Sequence, residues 1–187
     1  MKKPYILGIA GCTQSGKSTF TKELQQTLQD VKHKTFAIDS YHKPVDERPV
    51  VKSPITGIKY MDSNLPVSFD IPQLRLDLKS EIEKNEVDLI IIEGTMILYD
   101  EEICNMLDLK IYVDTRADER SVRYIERYSQ RYGYDFIRNS YLDLARYRMD
   151  EYVEPTKWRA DIILNGSLKS EQAVEMVKTY LISKIST

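Results

Sequence analysis

The chain contains few residues of the types that build disulfides or zinc sites, with two cysteines and two histidines among its 187 residues. Cys12 lies in a glycine-containing loop motif and Cys104 in a helical pattern, so a disulfide framework is not expected and a reducing compartment suits the chain. Neither histidine belongs to a cluster at ligand spacing, and a structural zinc site is therefore not supported.

The chain also lacks an excess of either charge and lacks long apolar runs. Its 27 basic side chains nearly balance 29 acidic ones, which gives no reason to expect a nucleic acid or a membrane surface as a partner. No run reaches the length of a membrane-spanning helix, and we expect a cytoplasmic protein. The length fits one domain, residues 1–187, built around one core.

Near its start the sequence carries the pattern G-x-x-x-x-G-K-[ST], between an apolar run and a helical pattern. The two glycines permit a backbone whose N–H groups turn toward phosphate oxygens. Lys17 brings a charge to the β and γ phosphates, and the Ser18 hydroxyl is placed to ligate Mg²⁺. The motif predicts a nucleoside triphosphate and Mg²⁺ as ligands, with the nucleotide held by Gly11, Thr13, Gln14, Ser15, Gly16, Lys17, Ser18 and Thr19. ATP is the expected donor, and GTP is the alternative, because a phosphate loop contacts no base.

Short runs rich in Ile and Val alternate with longer helical patterns along the rest of the chain. The runs lie at 5–10, 35–38, 88–92, 109–113 and 161–164, and the helices at about 72–85, 97–106, 116–131, 137–152 and 169–184. This alternation indicates a parallel sheet covered by helices. Thr115 is expected to cap the helix at 116–131. The proline-rich segment 43–68 is predicted to leave the sheet, with a hairpin around 53–57.

Acidic side chains follow two of the predicted strands. Because ligands collect beyond the carboxyl ends of strands in such sheets, Asp39 and Glu93 are expected near the phosphates. Asp39 is predicted to accept a proton from an attacking hydroxyl, and Glu93 to hold a water bound to Mg²⁺. The alternative is that each acid caps the turn that follows it.

Four arginines, Arg120, Arg123, Arg127 and Arg131, lie on one side of the helix predicted at 116–131. Like charges at this spacing repel one another, so an anionic ligand is expected opposite them. One interpretation is a lid that closes over phosphates, with Arg123 and Arg127 on the nucleotide and Arg120 on the substrate. The other is a solvated charged face.

Six motifs occur in the order seen in one family: 11–18, Asp39-Ser40-Tyr41, Phe69-Asp70-Ile71-Pro72, Ile92-Glu93-Gly94, 114–118 and 155–161. Through them the chain resembles the uridine kinase and phosphoribulokinase family of P-loop kinases. The resemblance implies a three-layer α/β fold with a five-stranded parallel sheet in the order 2-3-1-4-5 and a helical lid at about 116–150. It further implies that Asp39 activates the acceptor hydroxyl and that Ser18 and Glu93 form the magnesium site.

By the same resemblance Asp70 holds ribose hydroxyls, although an Asp before Pro72 is also a good helix cap. Tyr41 is expected to line the acceptor pocket. The substrate hairpin with a Tyr-Asp-Phe sequence that uridine kinases carry between the Phe-Asp and Glu-Gly motifs is missing here. The excursion 43–68 is expected to supply a substitute wall, with Lys59, Tyr60, Asp62 and Asn64 as contacts.

The sequence therefore predicts an ATP- and Mg²⁺-dependent phosphotransferase acting on a primary hydroxyl of a small metabolite, with a nucleoside as the first expectation. Asp39 and Lys17 are the predicted catalytic residues. One alternative is a kinase of a vitamin-like alcohol such as nicotinamide riboside or pantothenate. Another is an ATP-binding regulatory protein without a small acceptor. The oligomeric state is open, and a homo-oligomer is compatible with the sequence.

Overall fold

A computed structural model describes residues 3–186, so residues 1, 2 and 187 of the predicted domain lie outside it. Its strands are β1 (Tyr5–Ala10), β2 (His33–Ala37), β3 (Val50–Lys52), β4 (Lys59–Met61), β5 (Leu89–Gly94), β6 (Leu109–Asp114) and β7 (Ile162–Asn165). Five of them form one sheet in the order β2-β5-β1-β6-β7, and β3 and β4 form a separate two-stranded sheet. All pairings within the large sheet are parallel. When the strands of the large sheet are numbered in chain order without β3 and β4, their order across the sheet is 2-3-1-4-5. This confirms the expected strand order.

The helices are α1 (Lys17–Thr27), α2 (Ile71–Lys84), α3 (Glu101–Met106), α4 (Ala117–Tyr132), α5 (Tyr134–Ser140), α6 (Arg146–Arg148) and α7 (Glu171–Ile185). Two π-helical turns, Tyr141–Ala145 and Met149–Val153, flank α6 and continue into a 3₁₀ turn at Glu154–Arg159. The helix predicted at 137–152 therefore exists, but it is widened twice by π turns, which often accompany functional sites. Within residues 3–186, no helix has both the length and the apolar character needed to cross a membrane.

The sheet is covered on both faces, which explains why its inner strands β1 and β5 are apolar at most positions. Alternate residues of β5 show this: Ile90 and Ile92 face one buried cluster, which includes Leu74 and Leu78 of α2. Leu89 and Ile91 face the other cluster, which includes side chains of α1 and α7 such as Leu24 and Leu181. The result is three layers with the strand ends open at the edge.

The start of α4 differs from the prediction. Its cap residue is Arg116, and no side chain caps the helix. Thr115 is buried, and its hydroxyl donates to the backbone oxygen of Ser15 at 2.8 Å. The predicted Thr115 cap is wrong because this hydroxyl ties β6 to the loop at 11–18 instead.

Segment 43–68 leaves the sheet as predicted. Strands β3 and β4 form an antiparallel hairpin in which Val51 lies opposite Tyr60. The turn between them is closed by the Ser53 hydroxyl, which accepts hydrogen bonds from the backbone N–H groups of Ile55 and Thr56 at 3.1 Å each.

Candidate active site

A cleft of about 820 Å³ opens at the carboxyl ends of the strands. It lies where the predicted motif residues meet: Thr13, Gln14, Gly16, Lys17, Ser18 and Thr19 line it, together with Asp39 and Glu93. The position agrees with the rule that ligands of open α/β sheets bind beyond the strand ends. Gly11 and Ser15, also predicted to hold the nucleotide, lie behind this lining rather than in it.

The glycines of the phosphate loop are required by its backbone. Gly11 and Gly16 have φ angles of 144° and 98°, in a region that favours glycine. A methyl group on residue 11 would lie 2.4 Å from the Val113 oxygen and 2.7 Å from the Ser15 hydroxyl. Gly16 immediately precedes α1, so the N–H groups of its first turn point toward the cleft, where an anion would be stabilised.

Lys17 is a buried cation at the floor of the cleft. Its Nζ donates to the backbone oxygen of Cys12 at 2.8 Å, and within residues 3–186 it forms no ion pair. Burial lowers the pKa of Lys17, although the charges of Asp39 and Glu93 act in the opposite direction. A buried ammonium group that lacks an ionic partner is suited to receive an anionic ligand such as a phosphate.

Two side chains with oxygen donors reach the cleft beside Lys17. Ser18 comes from the first turn of α1 and Glu93 from the end of β5. The Glu93 carboxylate is oriented by the Thr21 hydroxyl, which donates to Oε2 at 3.2 Å. Hydroxyl and carboxylate oxygens, with room for phosphate oxygens and water, match the preferences of Mg²⁺. The residues present therefore fit the predicted magnesium site.

Asp39 lies in a 3₁₀ turn, Ile38–Tyr41, that follows β2. Its carboxylate is exposed to the cleft. The turn is fastened to the excursion by His42. Its Nδ1 lies 3.0 Å from the backbone oxygen of Asp39, and its Nε2 lies 3.0 Å from the backbone oxygen of Ser63. The imidazole also packs on Phe69, with ring centroids 4.2 Å apart. The candidate base therefore sits on a braced turn with its carboxylate free to meet a substrate.

The end of the cleft beyond Asp39 is lined by the excursion. Tyr60, Met61, Ser63 and Asn64 contribute to it, and Phe136 of α5 faces Tyr60 with ring centroids 6.1 Å apart. Of the four predicted wall residues, Tyr60 and Asn64 thus line the cleft. Lys59 and Asp62 do not, because Lys59 is exposed and Asp62 is buried beneath the wall.

Helix α4 forms the opposite wall, and two of its arginines line the cleft. Arg123 NH1 donates to the backbone oxygens of Gln14 and Gly166 at 3.3 and 3.1 Å, and its NH2 forms an ion pair with Glu119 Oε2 at 3.4 Å. Arg127 packs over the Tyr128 ring, 5.5 Å from its centroid. The positions of Arg123 and Arg127 suit the predicted contact with the nucleotide.

Arg120 requires a correction. Its side chain is 4% exposed and does not line the cleft, and its NH1 donates to Glu154 Oε1 at 2.5 Å. Burial would raise the pKa of Glu154, but the hydrogen bond and charge of Arg120 lower it overall. The same carboxylate accepts from the Cys12 thiol at 3.4 Å. The structure thus assigns Arg120 to an ion pair beneath the phosphate loop and not to a substrate contact.

Tyr41 and Asp70 also lie outside the cleft lining. The Tyr41 hydroxyl donates to Asp77 Oδ2 at 2.8 Å. Asp70 caps α2 by accepting from the Gln73 N–H at 3.1 Å, as its alternative interpretation predicted. Their substrate roles remain predictions that this geometry does not favour.

The contributors missed from the sequence include one loop, one arginine and Thr21, which supports the cleft lining without belonging to it. Residues 165–170, which are the last residue of β7 and the loop after it, line the cleft, and so does Arg48. Thr21, which orients Glu93, lies one turn after the phosphate motif on the buried side of α1. The helical spacing of Thr21 to Ser18 could have indicated it. The loop and Arg48 reach the cleft only through tertiary packing, for which the sequence carries no local signal.

Comparison with known proteins gives the family. The family model described as "Phosphoribulokinase / Uridine kinase family" matches residues 67–172. The uridine kinase of Lactobacillus helveticus (strain DPC 4571) is 30% identical, with 100% of this chain and 98% of that protein covered. The uridine kinase of Clostridium novyi (strain NT) is 32% identical, with 99% and 96% covered.

The chain belongs to the phosphoribulokinase / uridine kinase family. It is a P-loop kinase, as its motifs indicated. Solved structures support the fold: a protein of Silicibacter sp. TM1040 matches with a TM-score of 0.65 at 15% identity, covering 87% of this chain and 90% of that one. The shikimate kinase of Bacteroides thetaiotaomicron matches with a TM-score of 0.55 at 16% identity, covering 98% and 99%. Membership in the family accounts for the order of the motifs along the whole chain.

Proposed function

We propose that this kinase transfers the γ-phosphoryl group of ATP to a primary hydroxyl of a nucleoside. One observation carries the proposal: Lys17 of the phosphate loop and the exposed carboxylate of Asp39 open onto the same cleft. The loop provides a donor end, and the excursion provides a second end large enough for an acceptor. The relatives named uridine kinase, aligned over nearly the whole chain, support a nucleoside as the acceptor.

The residues divide between proton transfer and charge stabilisation. Asp39 accepts the proton of the acceptor hydroxyl as that oxygen attacks. Lys17, Arg123 and Arg127 stabilise the negative charge on the phosphoryl group in the transition state of its transfer. Ser18 and Glu93 would hold Mg²⁺, which neutralises charge on the β and γ phosphates when bound. Walls on both sides of the cleft restrict water, which otherwise competes as the acceptor.

The acceptor end has the composition expected for a base with a sugar. Tyr60, Phe136 and Phe69 present aromatic rings, and Ser63 and Asn64 present hydrogen-bonding groups. Planar bases bind well against aromatic faces, with a few polar groups to fix their orientation. The excursion thus takes the place of the missing hairpin of uridine kinases.

A second candidate acceptor is favoured by Arg48. Its Nε donates to the Lys43 oxygen at 2.7 Å and its NH1 to the Ser63 hydroxyl at 3.1 Å. Among residues 3–186 it has no acidic partner, so it would suit an acceptor with an anionic group. Pantothenate, an alcohol with a carboxylate, is the second candidate for this reason.

The test is an ADP-release assay with a panel of ribonucleosides, nicotinamide riboside and pantothenate. We expect a ribonucleoside to stimulate turnover, and Asp39→Asn to lower that rate by about 10²- to 10⁴-fold while nucleotide affinity stays nearly the same. Asp46→Asn is the matched control, because Asp46 is an exposed acid seven residues after Asp39 that does not line the cleft. Full turnover by Asp39→Asn would refute the assigned base. Nucleotide binding with no stimulation by any acceptor would favour a regulatory protein.

A further inference from the structure

A buried carboxylate on the lid side of the cleft holds the excursion hairpin. Asp143 lies in the first π-helical turn and is 5% exposed. Its Oδ2 accepts hydrogen bonds from the Thr56 hydroxyl at 2.5 Å and from the Tyr60 hydroxyl at 3.0 Å. Burying an ionised carboxylate is costly unless hydrogen bonds compensate it. Here both donors that the structure shows come from the hairpin.

A second link of the same kind lies next to the hairpin. Asp62 is fully buried, and its Oδ2 accepts from Arg148 Nε at 2.8 Å. Its Oδ1 accepts from the Asn64 N–H at 2.9 Å. Arg148 lies in α6, between the two π turns, and Asn64 lines the cleft. The helical segment that carries Asp143 and Arg148 thus holds the acceptor wall at two points.

Apolar burial does little to hold the hairpin. Val50, Ile55 and Ile58 are 65%, 58% and 47% exposed, whereas Tyr60 is buried. A two-stranded hairpin with three-residue strands is marginal by itself. Its position over the cleft therefore depends on the polar links made by Thr56 and Tyr60.

We propose that the hairpin Val50–Met61 is the acceptor-recognition element of this kinase and that Asp143 is its positioning residue. The proposal rests on the proposed function, since it assigns the acceptor end of the same cleft. Asp143 acts through Tyr60, whose ring lines the cleft and faces Phe136. Burial, and then the bond to Asp143, raise the pKa of Tyr60, so its hydroxyl remains a donor at physiological pH.

The test removes the two hydroxyls while keeping side-chain shape. Thr56→Val and Tyr60→Phe are each expected to raise the KM for the acceptor about tenfold or more, because each removes a hydrogen bond to a buried charge. The KM for ATP should stay within about twofold, since the phosphate loop and the hairpin share no contact of this network. Thr56→Ser keeps the hydroxyl and should restore the acceptor KM. Tyr99→Phe, a tyrosine outside the cleft lining, is the matched control.

Amide hydrogen exchange over residues 50–64 measures the links without any substrate. Faster exchange in Thr56→Val and Tyr60→Phe, but not in Tyr99→Phe, is the expected result. Unchanged exchange would show that Asp143 does not hold the hairpin. Faster exchange with an unchanged acceptor KM, or a parallel rise in the KM for ATP, would overturn the positioning role. If no acceptor stimulates the wild-type protein, the proposed function fails, and with it the acceptor role of the hairpin, while exchange still decides whether Asp143 holds it.

Discussion

At the scale of single residues, Lys17 shows a conflict between stability and function. Its ammonium group is buried at the cleft floor, where it donates to a backbone carbonyl but faces no ion-pair partner in the described chain. The depressed pKa of Lys17 expresses the cost of that burial. The buried ammonium group becomes favourable only when an anion binds beside it in the cleft. The folded protein therefore tolerates the cost of a buried charge that can stabilise a bound anion.

Replacing Lys17 with Met, which keeps the apolar stem, should therefore raise the free energy of unfolding by about 1 kcal/mol, which corresponds to about 2–4 °C in the melting temperature. Turnover should be lost. Because the folded-state pKa lies below the unfolded value of 10.5, wild-type stability rises with pH across the interval between them, and the advantage of Lys17→Met shrinks there. Thermal unfolding at about pH 7 and pH 10 measures both effects. Lys22→Met, at an exposed position of the same helix, is the control, and a lower melting temperature for Lys17→Met than for this control would contradict the argument.

At the scale of elements, α4 places its four arginines in different surroundings, although their spacing in the sequence puts them on one side of the helix. Arg123 and Arg127 line the cleft, Arg120 is buried against Glu154, and Arg131 is exposed with its guanidinium 5.0 Å from the Tyr132 ring centroid. Only two of the four therefore face the side on which phosphate is expected. The like-charge repulsion inferred from the sequence is relieved in part by Glu154, a residue 34 positions after Arg120.

We predict that Arg127→Ala lowers kcat/KM for ATP by about 10²-fold or more, because Arg127 brings positive charge to the cleft where phosphate is expected. The melting temperature should not fall, because the contact that Arg127 makes within the fold is with the Tyr128 ring. Arg123→Ala should lower both quantities, since it also breaks the hydrogen bonds to Gln14 and Gly166. Arg131→Ala is the matched control and should behave like the wild type. Steady-state kinetics and thermal unfolding of the three variants check this. Wild-type kinetics for Arg127→Ala would remove α4 from the donor site.

The sequence predicted the secondary-structure elements better than it predicted the contacts between distant residues. Apolar runs and helical spacing predicted the strands and helices of the sheet layers, and the prolines of segment 43–68 predicted the excursion with its hairpin, since these signals are local in the sequence. The assignments of Thr115 and Arg120 were wrong because their partners, Ser15 and Glu154, are distant in sequence. Asp39, Glu93 and Lys17 were placed correctly in the cleft since strand ends and a phosphate loop converge by topology alone. The proposed acceptor wall depends on contacts between the hairpin side and Asp143 and Arg148, which are distant in sequence, so no local pattern predicts them.

At the scale of the whole molecule, hydrogen bonds join the lid to the sheet at several places. Arg123 of α4 donates to the phosphate loop and to the loop after β7, and the Arg120–Glu154 pair meets Cys12 beneath the phosphate loop. On the other side of the cleft, Asp143 holds the hairpin. The lid is therefore bonded to both ends of the site, and we propose that the chain is a single cooperative domain.

A single domain should unfold in one transition, with equal calorimetric and van 't Hoff enthalpies. A non-hydrolysable ATP analogue with Mg²⁺, at about 100 times its dissociation constant, should stabilise the folded state by about 2.7 kcal/mol and raise the whole transition by about 5–10 °C. Chelating the metal should reduce this shift, because Ser18 and Glu93 would then contribute less to binding. Differential scanning calorimetry measures each quantity. A separate low-temperature transition that the nucleotide abolishes would instead show a lid that folds on its ligand, since the bonds through Arg123, Glu154 and Asp143 would then be too weak to couple it to the sheet.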